Sequence, residues 1–411
     1  MQKLNILWIA SSHKKGLLYH AVLIAKAFKK RGHNVVVLSS NGEQVKGLFQ
    51  SLKQADIPFY VSDYTDKKTI TSIFKASRII RKIVKDENIN VIQANGFYHL
   101  LKSCLAIKNT PLKNKIIIGT YLHAVRHGSR LETAALIIGS QLLNRCTDIA
   151  MPVSVQEKDK MVRFGLNPEK AAVVYVPVDF ETFQNNLNNL DNSILKKYQI
   201  FERKGPVITY LANLIPRKGH KYLLYAIPKV LKQFPQAKFI FAGDDEGRNR
   251  LDSIIKWLNI TDNVIITGRL DNKYIPKILS CSDIAVVTSL SETYCHAIIE
   301  PMAAGVPVVT TPVGIAPEII EDNKTGKPVP MRNPEKTADA ILYLLNNRQQ
   351  AMQIGLASKE LVKERFNIET IIKRFENLYL NELAKKNGDF QKQLFSEYQG
   401  NKLTEKQTVS A

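Results

Sequence analysis

The 411-residue sequence has little cysteine, two tryptophans and far fewer acidic than basic residues. Its four cysteines, Cys104, Cys146, Cys281 and Cys295, are distant in sequence and form no C-x-x-C pair. This spacing excludes a zinc ribbon and a dense disulfide framework, and it predicts reduced thiols in a cytoplasmic protein. Residues 4–10 are too short for the apolar core of a signal peptide and indicate a first strand instead.

Long apolar runs and the dinucleotide fingerprint G-x-G-x-x-G are also missing. The longest weakly polar run, residues 131–143, is too short to span a bilayer. The first strand-to-helix turn, residues 10–16, has one glycine, Gly16, so a nicotinamide or flavin enzyme is not expected. Gly16 could still let a donor phosphate approach the backbone, and a plain turn would explain it equally well.

The net charge of +21 is unevenly distributed. Residues 1–180 contain 27 Lys and Arg against 12 Asp and Glu. A basic first half favours an anionic partner, either a membrane surface, a phospholipid-linked substrate or nucleic acid, although solubility alone would also explain it. No aromatic and basic platform and no helix-turn-helix pattern occurs, so nucleic acid is not expected as a partner.

Short apolar runs alternate with helix-period segments almost throughout. The runs cover residues 6–10, 35–39, 91–94, 116–120, 149–152, 173–176, 207–212, 239–243, 264–267, 284–287, 306–309 and 327–329. Such alternation is typical of parallel sheets with helices on both faces. The sequence therefore predicts an α/β protein with two doubly wound, Rossmann-like domains in series, facing each other across a crevice.

Composition divides the chain further. We predict an acceptor-side first domain over 1–180, an Asn-rich linker with a short helix over 181–204, and a nucleotide-sugar-binding domain over 205–366. Residues 367–386 are predicted to be a C-terminal helix that crosses back over the hinge. The polar tail 387–411 has the composition of a disordered segment.

Residues 69–85 predict a basic amphipathic helix. Its apolar stripe consists of Ile70, Ile73, Phe74, Ile80, Ile83 and Val84, and lysines and arginines lie along its flanks. Such a helix could lie on an anionic membrane surface. It could equally cover the sheet, with the stripe in the core and the charges in water.

The stretch 284–311 has the strongest functional pattern. Two buried strands enclose a loop with Ser289 and Ser291 and a short helix. Glu292 precedes this helix and Glu300 lies about two turns further on. Two carboxylates therefore flank a helix N-terminus, which can bind an anion through its free N–H groups. A nucleotide sugar, with phosphates and hydroxyls, fits such a site.

Two further strand ends contain chemically active residues. His123 follows the strand at 116–120, where open α/β sheets bind ligands, and it could orient or deprotonate a hydroxyl. His127 is a rival for that role. Arg217 and Lys218 follow the strand at 207–212, where they could neutralise a diphosphate or simply be solvated charges on a turn.

These residues together resemble the retaining glycosyltransferases of family four, which have the GT-B fold. The resemblance is based on S-L-S-E-T-Y-C-H-A-I-I-E-P-M-A-A-G-V-P-V-V at 289–309, with the family's E-x(7)-E as Glu292 and Glu300. It also includes P-R-K-G at 216–219, G-D at 243–244 and P-E at 317–318. It covers residues 205–370 well and the first domain loosely.

The resemblance implies a role for each matching residue. Glu300 would bind the ribose hydroxyls, Glu292 would contact the transferred sugar, and Lys218 would bind the diphosphate. His123 would line the acceptor side, the helix opening near Tyr294 would receive the leaving diphosphate, and Arg269 and Leu270 would hold the base. The implied catalytic residues are Glu292, His123 and Lys218, and the implied donor-binding residues are Gly16, Asn213, Arg217, Lys218, Arg269, Leu270, Glu292, Tyr294, Cys295, His296 and Glu300.

Three positions depart from the family's pattern. Asn213 replaces a frequent arginine, so Lys218 and Arg217 would have to neutralise the phosphates. The loop 293–295 has no glycine, which leaves the choice of donor sugar open. The family's usual Gly-Val-Asp is Pro-Val-Asp at 177–179.

The resemblance implies an enzyme that transfers a sugar from a nucleoside-diphosphate sugar to an acceptor hydroxyl with retention, without a metal or other cofactor. The expected acceptor is a saccharide or a lipid-linked molecule, as in cell-surface polysaccharide or glycolipid synthesis. The expected location is the cytoplasm, with peripheral contact to an anionic membrane. A nucleotide-sugar epimerase, a phosphorylase, or a nucleotide-sugar-binding subunit without turnover remain as alternatives.

Overall fold

The structure is a computed structural model that describes residues 2–11, 15–42, 46–108, 110–122, 130–189, 192–198, 204–244 and 250–388. The chain forms two compact units. The first contains the described residues of 1–153 and 157–177, together with those from 368 onward. The second contains residues 154–156 and 178–367. The tail beyond residue 388, which we predicted to be disordered, lies outside the described residues.

The first unit is built on a six-stranded parallel sheet in the order β3-β2-β1-β4-β5-β6. The strands are β1 Asn5–Ile9, β2 Asn34–Ser39, β3 Phe59–Val61, β4 Val91–Asn95, β5 Ile117–Leu122 and β6 Ile149–Pro152. The helices are α1 Lys15–Lys30, α2 Lys46–Gln54, α3 Ile70–Asp86, α4 Phe97–Ile107, α5 Arg130–Cys146 and α6 Val155–Arg163. Most of these strands are fully buried because parallel sheets have both faces covered.

Two predictions for this sheet are wrong. Residues 173–176 are extended but form no strand; Ala172 N and Val174 N donate to Ala150 O and Pro152 O, at 2.9 and 3.0 Å, beside β6. The strand β3 was missed because it is three residues long and partly exposed, so it leaves no apolar run in the sequence.

Helix α3 matches the predicted amphipathic segment but divides its stripe. Thr69 caps the helix by accepting a hydrogen bond from Ser72 N at 3.3 Å. Ile80, Ile83 and Val84 are buried in the core, whereas Ile70 and Phe74 are exposed in the first turns of the helix. The second half of the helix therefore covers the sheet, and only the first half leaves apolar side chains in water.

The second unit repeats the same architecture. Its strands are β7 Val207–Leu211, β8 Lys238–Ala242, β9 Val264–Gly268, β10 Ile284–Val287, β11 Val308–Thr310 and β12 Lys327–Pro328, in the parallel order β12-β11-β10-β7-β8-β9. Its helices are α7 Phe180–Asn189, α8 Ser193–Lys197, α9 His220–Leu231, α10 Arg250–Trp257, α11 Ile275–Ser280, α12 His296–Ala304, α13 Ala316–Ile319, α14 Pro334–Asn346 and α15 Arg348–Arg365. Both sheets have the strand order of Rossmann folds, which confirms the predicted fold class.

The segment 181–204, for which we predicted a linker, contains α8 and most of α7. Ile194 and Leu195 are buried, and Tyr198 OH donates a hydrogen bond to Thr267 O at 2.8 Å. The described part of this segment is therefore packed within the second unit.

The last helix, α16 Ile368–Lys386, packs on the first unit. Phe375 lies edge-on against Trp8, with ring centroids 5.6 Å apart, and Tyr379 OH donates to Gln93 Oε1 at 2.5 Å. Glu376 is buried and accepts two hydrogen bonds from Arg31, Nε at 2.6 Å and Nη2 at 2.7 Å. Such a bidentate pair fixes the helix at a defined position.

His33 completes this buried ion pair. Its Nδ1 accepts a hydrogen bond from Leu4 N at 3.1 Å, so Nε2 carries the proton and donates to Glu376 Oε1 at 2.7 Å. Burial alone would raise the pKa of Glu376, but the hydrogen bonds from Arg31 and His33 hold it below its usual range. The stabilisation is therefore present at neutral pH and is lost as the pH falls through this lowered pKa.

We expect Glu376→Ala to lower the free energy of unfolding of the first unit by about 3 kcal/mol, because it leaves Arg31 without its buried partner. Urea unfolding followed by the fluorescence of buried Trp8, in a Trp257→Phe background, measures this. The control is Glu369→Ala. That partly exposed carboxylate contacts Arg31 Nη1 at 3.3 Å, so its loss should cost less than about 1 kcal/mol. Equal losses in both variants would contradict this account of the ion pair.

Candidate functional site

The candidate site lies where the strand order of the second unit reverses. Strands β7 and β10 are neighbours in the sheet, although two other strands separate them along the chain. Arg217 and Lys218 follow β7, and Ser289 and Glu292 follow β10. Open α/β sheets bind ligands at the carboxyl ends of the strands at such a point.

Backbone contacts join the two loops at this point. Leu290 N donates to Arg217 O at 2.9 Å, and Thr288 Oγ1 donates to Gly219 O at 3.0 Å. Gly219 has a φ of +67°, and a Cβ there would lie 2.1 Å from Thr288 O. Only glycine is compatible with both conditions, so the P-R-K-G sequence holds Lys218 directly beside the loop that follows β10.

Glu292 lies between two cations. Its Oε1 accepts hydrogen bonds from Lys218 Nζ at 2.5 Å and from Ser289 Oγ at 2.9 Å. Its Oε2 accepts one from Arg217 Nη1 at 3.1 Å. Lys218 is mostly buried and Arg217 is half exposed, so Lys218 has the better-desolvated charge. Two cations on one carboxylate leave one positive charge in excess, and such a site attracts an anion.

A buried tyrosine holds this cluster from below. Tyr210 OH donates to Lys218 O and is 3.0 Å from Ser289 Oγ. His220 stacks on the Tyr210 ring, with centroids 4.4 Å apart. Burial, reinforced by the charge of Lys218, lowers the pKa of His220 to about 3, so the imidazole is neutral. Tyr210 could not be predicted as a site residue because a tyrosine inside an apolar strand has the pattern of a core residue.

Helix α12 begins at His296, beside the same loop. Cys295 precedes it in the left-handed conformation, with φ +84°, and burial raises the pKa of its thiol. Tyr294 is fixed by Ile315 N, which donates to Tyr294 O at 2.8 Å. A Cβ on Gly314 would lie 2.4 Å from that same oxygen, so the backbone of the two loops approaches closely at this glycine.

Glu300 lies in the second turn of α12. It is partly buried, and its carboxylate has no hydrogen bond or ion pair with any described residue. Burial raises its pKa to about 7. A buried carboxylate without a partner can accept hydrogen bonds from the hydroxyls of a ligand.

The remaining predicted residues lie further from this cluster. Asn213 is exposed after β7, and Arg269 and Leu270 follow β9, at the edge of the same sheet. Gly16 is in the first turn of α1 in the first unit, and His123 lies outside the described residues. The structure thus brings together Lys218, Arg217 and Glu292, and their predicted roles in binding and catalysis stay predictions.

Two features are absent from the described part of the chain. No group of three or more His, Cys, Asp or Glu residues there is arranged to hold a metal ion. No helix there is both long and apolar enough to cross a membrane.

Two family models match the chain. The model for glycosyl transferases group 1 matches residues 192–361, and the model for glycosyltransferase family 4 matches residues 15–182. One protein of the human phosphatidylinositol N-acetylglucosaminyltransferase is 26% identical over 75% of this chain and 61% of its own length. A Mycobacterium tuberculosis GDP-mannose-dependent phosphatidylinositol monomannoside mannosyltransferase is 27% identical over 60% of this chain and 66% of its own.

Solved structures support the same assignment at the level of the fold. A glycosyltransferase from Rickettsia africae superposes with a TM-score of 0.80 at 23% identity, over 93% of this chain and 99% of its own. Anabaena Alr3699/HepE, in complex with UDP, superposes with a TM-score of 0.75 at 20% identity, over 91% and 99%. The chain therefore belongs to the group 1 glycosyltransferases of family four, with the GT-B fold.

Proposed function

We propose that this protein transfers a sugar from a nucleoside-diphosphate sugar to an acceptor hydroxyl, with retention of the anomeric configuration. The observation that carries this proposal is the cluster of Lys218, Arg217 and Glu292 beside the start of α12. A departing nucleoside diphosphate develops negative charge, and this is where the second unit has excess positive charge. Related proteins support the donor class: one is named as GDP-mannose-dependent and another is in complex with UDP.

Lys218 is the main stabiliser of the leaving diphosphate in this proposal. Without a ligand, its ammonium group is neutralised by Glu292 at 2.5 Å. A diphosphate near Lys218 would share that charge, and Arg217 and Ser289 would still hold Glu292 beside the transferred sugar. Preorganised cations of this kind stabilise charge in the transition state without further rearrangement. Two protein cations also make a metal unnecessary for this step, although they exclude none.

The other donor contacts follow from the positions of the side chains. Glu300 would accept hydrogen bonds from the ribose hydroxyls, since its carboxylate lacks a partner among the described residues. Arg269 and Leu270, at the end of β9, would hold the base, and Tyr294, Cys295 and His296 would line the diphosphate site. In the first unit, His123 would orient the acceptor and Gly16 would let the donor approach the backbone.

The acceptor we propose is a membrane lipid or a lipid-linked saccharide, in glycolipid or polysaccharide synthesis at the cytoplasmic face of a membrane. The basic first half of the chain supports an anionic acceptor. Both relatives described above are named for phosphatidylinositol or one of its mannosides.

The test is a thermal-shift panel of UDP-, GDP-, ADP- and dTDP-sugars, each with and without a chelator. A donor that binds only the folded protein raises the melting temperature by mass action. The donor that does so is then incubated with a phosphatidylinositol acceptor, and NMR of the product gives its anomeric configuration. An inverted product would refute retention, a changed donor without acceptor would indicate an epimerase, and a shift lost with chelator would refute metal independence.

We expect Lys218→Ala to lower kcat by a factor of about 10²–10³, because it removes the buried cation at the leaving group. Arg217→Ala is the matched control. Its half-exposed charge is screened by water, so a loss of less than about tenfold is expected. Initial rates at saturating donor separate the two variants. Full activity in Lys218→Ala would refute this placement of the diphosphate.

The affinity for the free nucleotide should rise with pH through Glu300. Only the ionised carboxylate accepts hydrogen bonds from both ribose hydroxyls, and the pKa of about 7 means that ionisation is incomplete at pH 6. Between pH 6 and pH 8 the dissociation constant should fall by up to about tenfold. Calorimetric titrations with the matching nucleoside diphosphate measure this. Glu300→Gln cannot ionise and should remove the pH dependence; the same pH profile in this variant would exclude Glu300 as its source.

A further inference from the structure

A cavity of about 960 Å³ lies between α4 and α5 of the first unit. The two helices are in contact at Phe97 and Gly139, where a Cβ on the glycine would be 2.7 Å from the Phe97 ring. Nearer the C-termini of the helices, the cavity separates them. Its walls are mainly apolar and include Leu101, Leu105, Ile116, Ile118, Ile138 and Leu142. The cavity lies near the amino ends of β5 and β6, at the edge of the sheet opposite to the one where ligands of open α/β sheets bind.

The cations that line this cavity form two groups. Lys170 and Lys386 are held by the protein itself: Lys170 Nζ donates to Asn144 O at 2.7 Å, and Lys386 Nζ lies 2.9 Å from Asp148. By contrast, three exposed cations have no side-chain hydrogen bond or ion pair with any described residue, namely Lys108, Lys113 and Arg145. The cavity therefore has an apolar interior and an uncompensated positive charge at its surface.

Apolar side chains at the same place are exposed to water. Ile137 and Ile138 on α5 are 47% and 70% exposed, and both line the cavity. A concave apolar surface with convergent cations is typical of a ligand site. A free phosphate or a sugar would satisfy the cations but leave the apolar walls in contact with water. An acyl chain joined to an anionic head group satisfies both.

We propose that this cavity binds an acidic phospholipid of a membrane. The acyl chain enters between Leu105 and Leu142, and the phosphate lies against Lys108, Lys113 and Arg145. The charge complementarity to an anionic leaflet and the exposed isoleucines favour this source over a free amphiphile. The site is separate from the donor site, and its test needs no enzymatic turnover.

The cavity contains its own reporter. Cys104 and Cys146 both line it, and their thiols are hydrogen bonded to each other. That hydrogen bond, together with the charges of Lys108 and Lys113, lowers the pKa of Cys104 to about 7. Cys104 is therefore partly thiolate at neutral pH and should react with maleimides unless a ligand covers it.

The experiment measures the alkylation of each cysteine by N-ethylmaleimide at pH 7, with peptide mass spectrometry as the readout. Dihexanoyl phosphatidylglycerol below its micelle concentration should slow the reaction of Cys104 by about tenfold at about ten times its dissociation constant. Dihexanoyl phosphatidylcholine, which has no net charge, should slow it less than about twofold. Vesicles of dioleoyl phosphatidylglycerol should protect Cys104 as the soluble lipid does. Cys281 in the second unit is the internal reference and should not change.

A triple variant tests the cations, Lys108→Ser with Lys113→Ser and Arg145→Ser. Because these lysines also affect the pKa of Cys104, the quantity compared is the ratio of rates with and without lipid. The ratio should fall to near one in this variant. It should stay unchanged in the charge-matched control, Lys3→Ser with Lys30→Ser and Lys53→Ser, at exposed positions elsewhere in the unit.

Three results would overturn the proposal. Equal protection by the two soluble lipids, or protection that persists in the triple variant, would show that the cations select nothing. Protection by the soluble lipid without protection by vesicles would assign the cavity to a free amphiphile. Vesicle binding with Cys104 unprotected would place the membrane contact elsewhere, for example at Ile70 and Phe74 on α3.

Discussion

The backbone contact between Gly219 and Thr288 is the constraint on which the candidate site depends. It joins two loops that are about seventy residues apart in sequence but follow neighbouring strands. Without this contact, Lys218 and Glu292 would be on two independent turns. With it, the ammonium and carboxylate groups are held at hydrogen-bonding distance before any ligand arrives. Preorganisation of this kind lets a surface-facing site stabilise charge without a large ordering cost.

The sequence predicts the fold well because parallel strands leave a direct record in it. Eleven of the twelve strands correspond to apolar runs, since each must be buried on both faces. The exceptions follow from the same rule. The short edge strand β3 is partly exposed and leaves no record, whereas residues 173–176 are apolar yet pair with β6 through only two hydrogen bonds.

The site was predictable in part. Glu292, Glu300 and Lys218 could be found because they are polar residues that directly follow or lie close to buried strands. The support provided by Tyr210, Ser289 and His220 could not be assigned from the sequence, because it depends on contacts between segments that only the folded sheet brings together. Nor could the unpaired state of Glu300 among the described residues or the cavity between α4 and α5, since both depend on which atoms are missing around a side chain.

The position of α16 has a consequence for the order in which the chain can fold during synthesis. The core of the first unit includes Phe375 and Tyr379, which pack around Trp8 and Phe28 at the other end of the chain. The second unit contains almost only one continuous segment, 178–367, that emerges earlier than α16. Although domains commonly fold from the N-terminus as they are synthesised, the unit that begins this chain must wait for its last helix. A ribosome stalled before residue 368 would therefore present a second unit ready to fold and a first unit with an open apolar face.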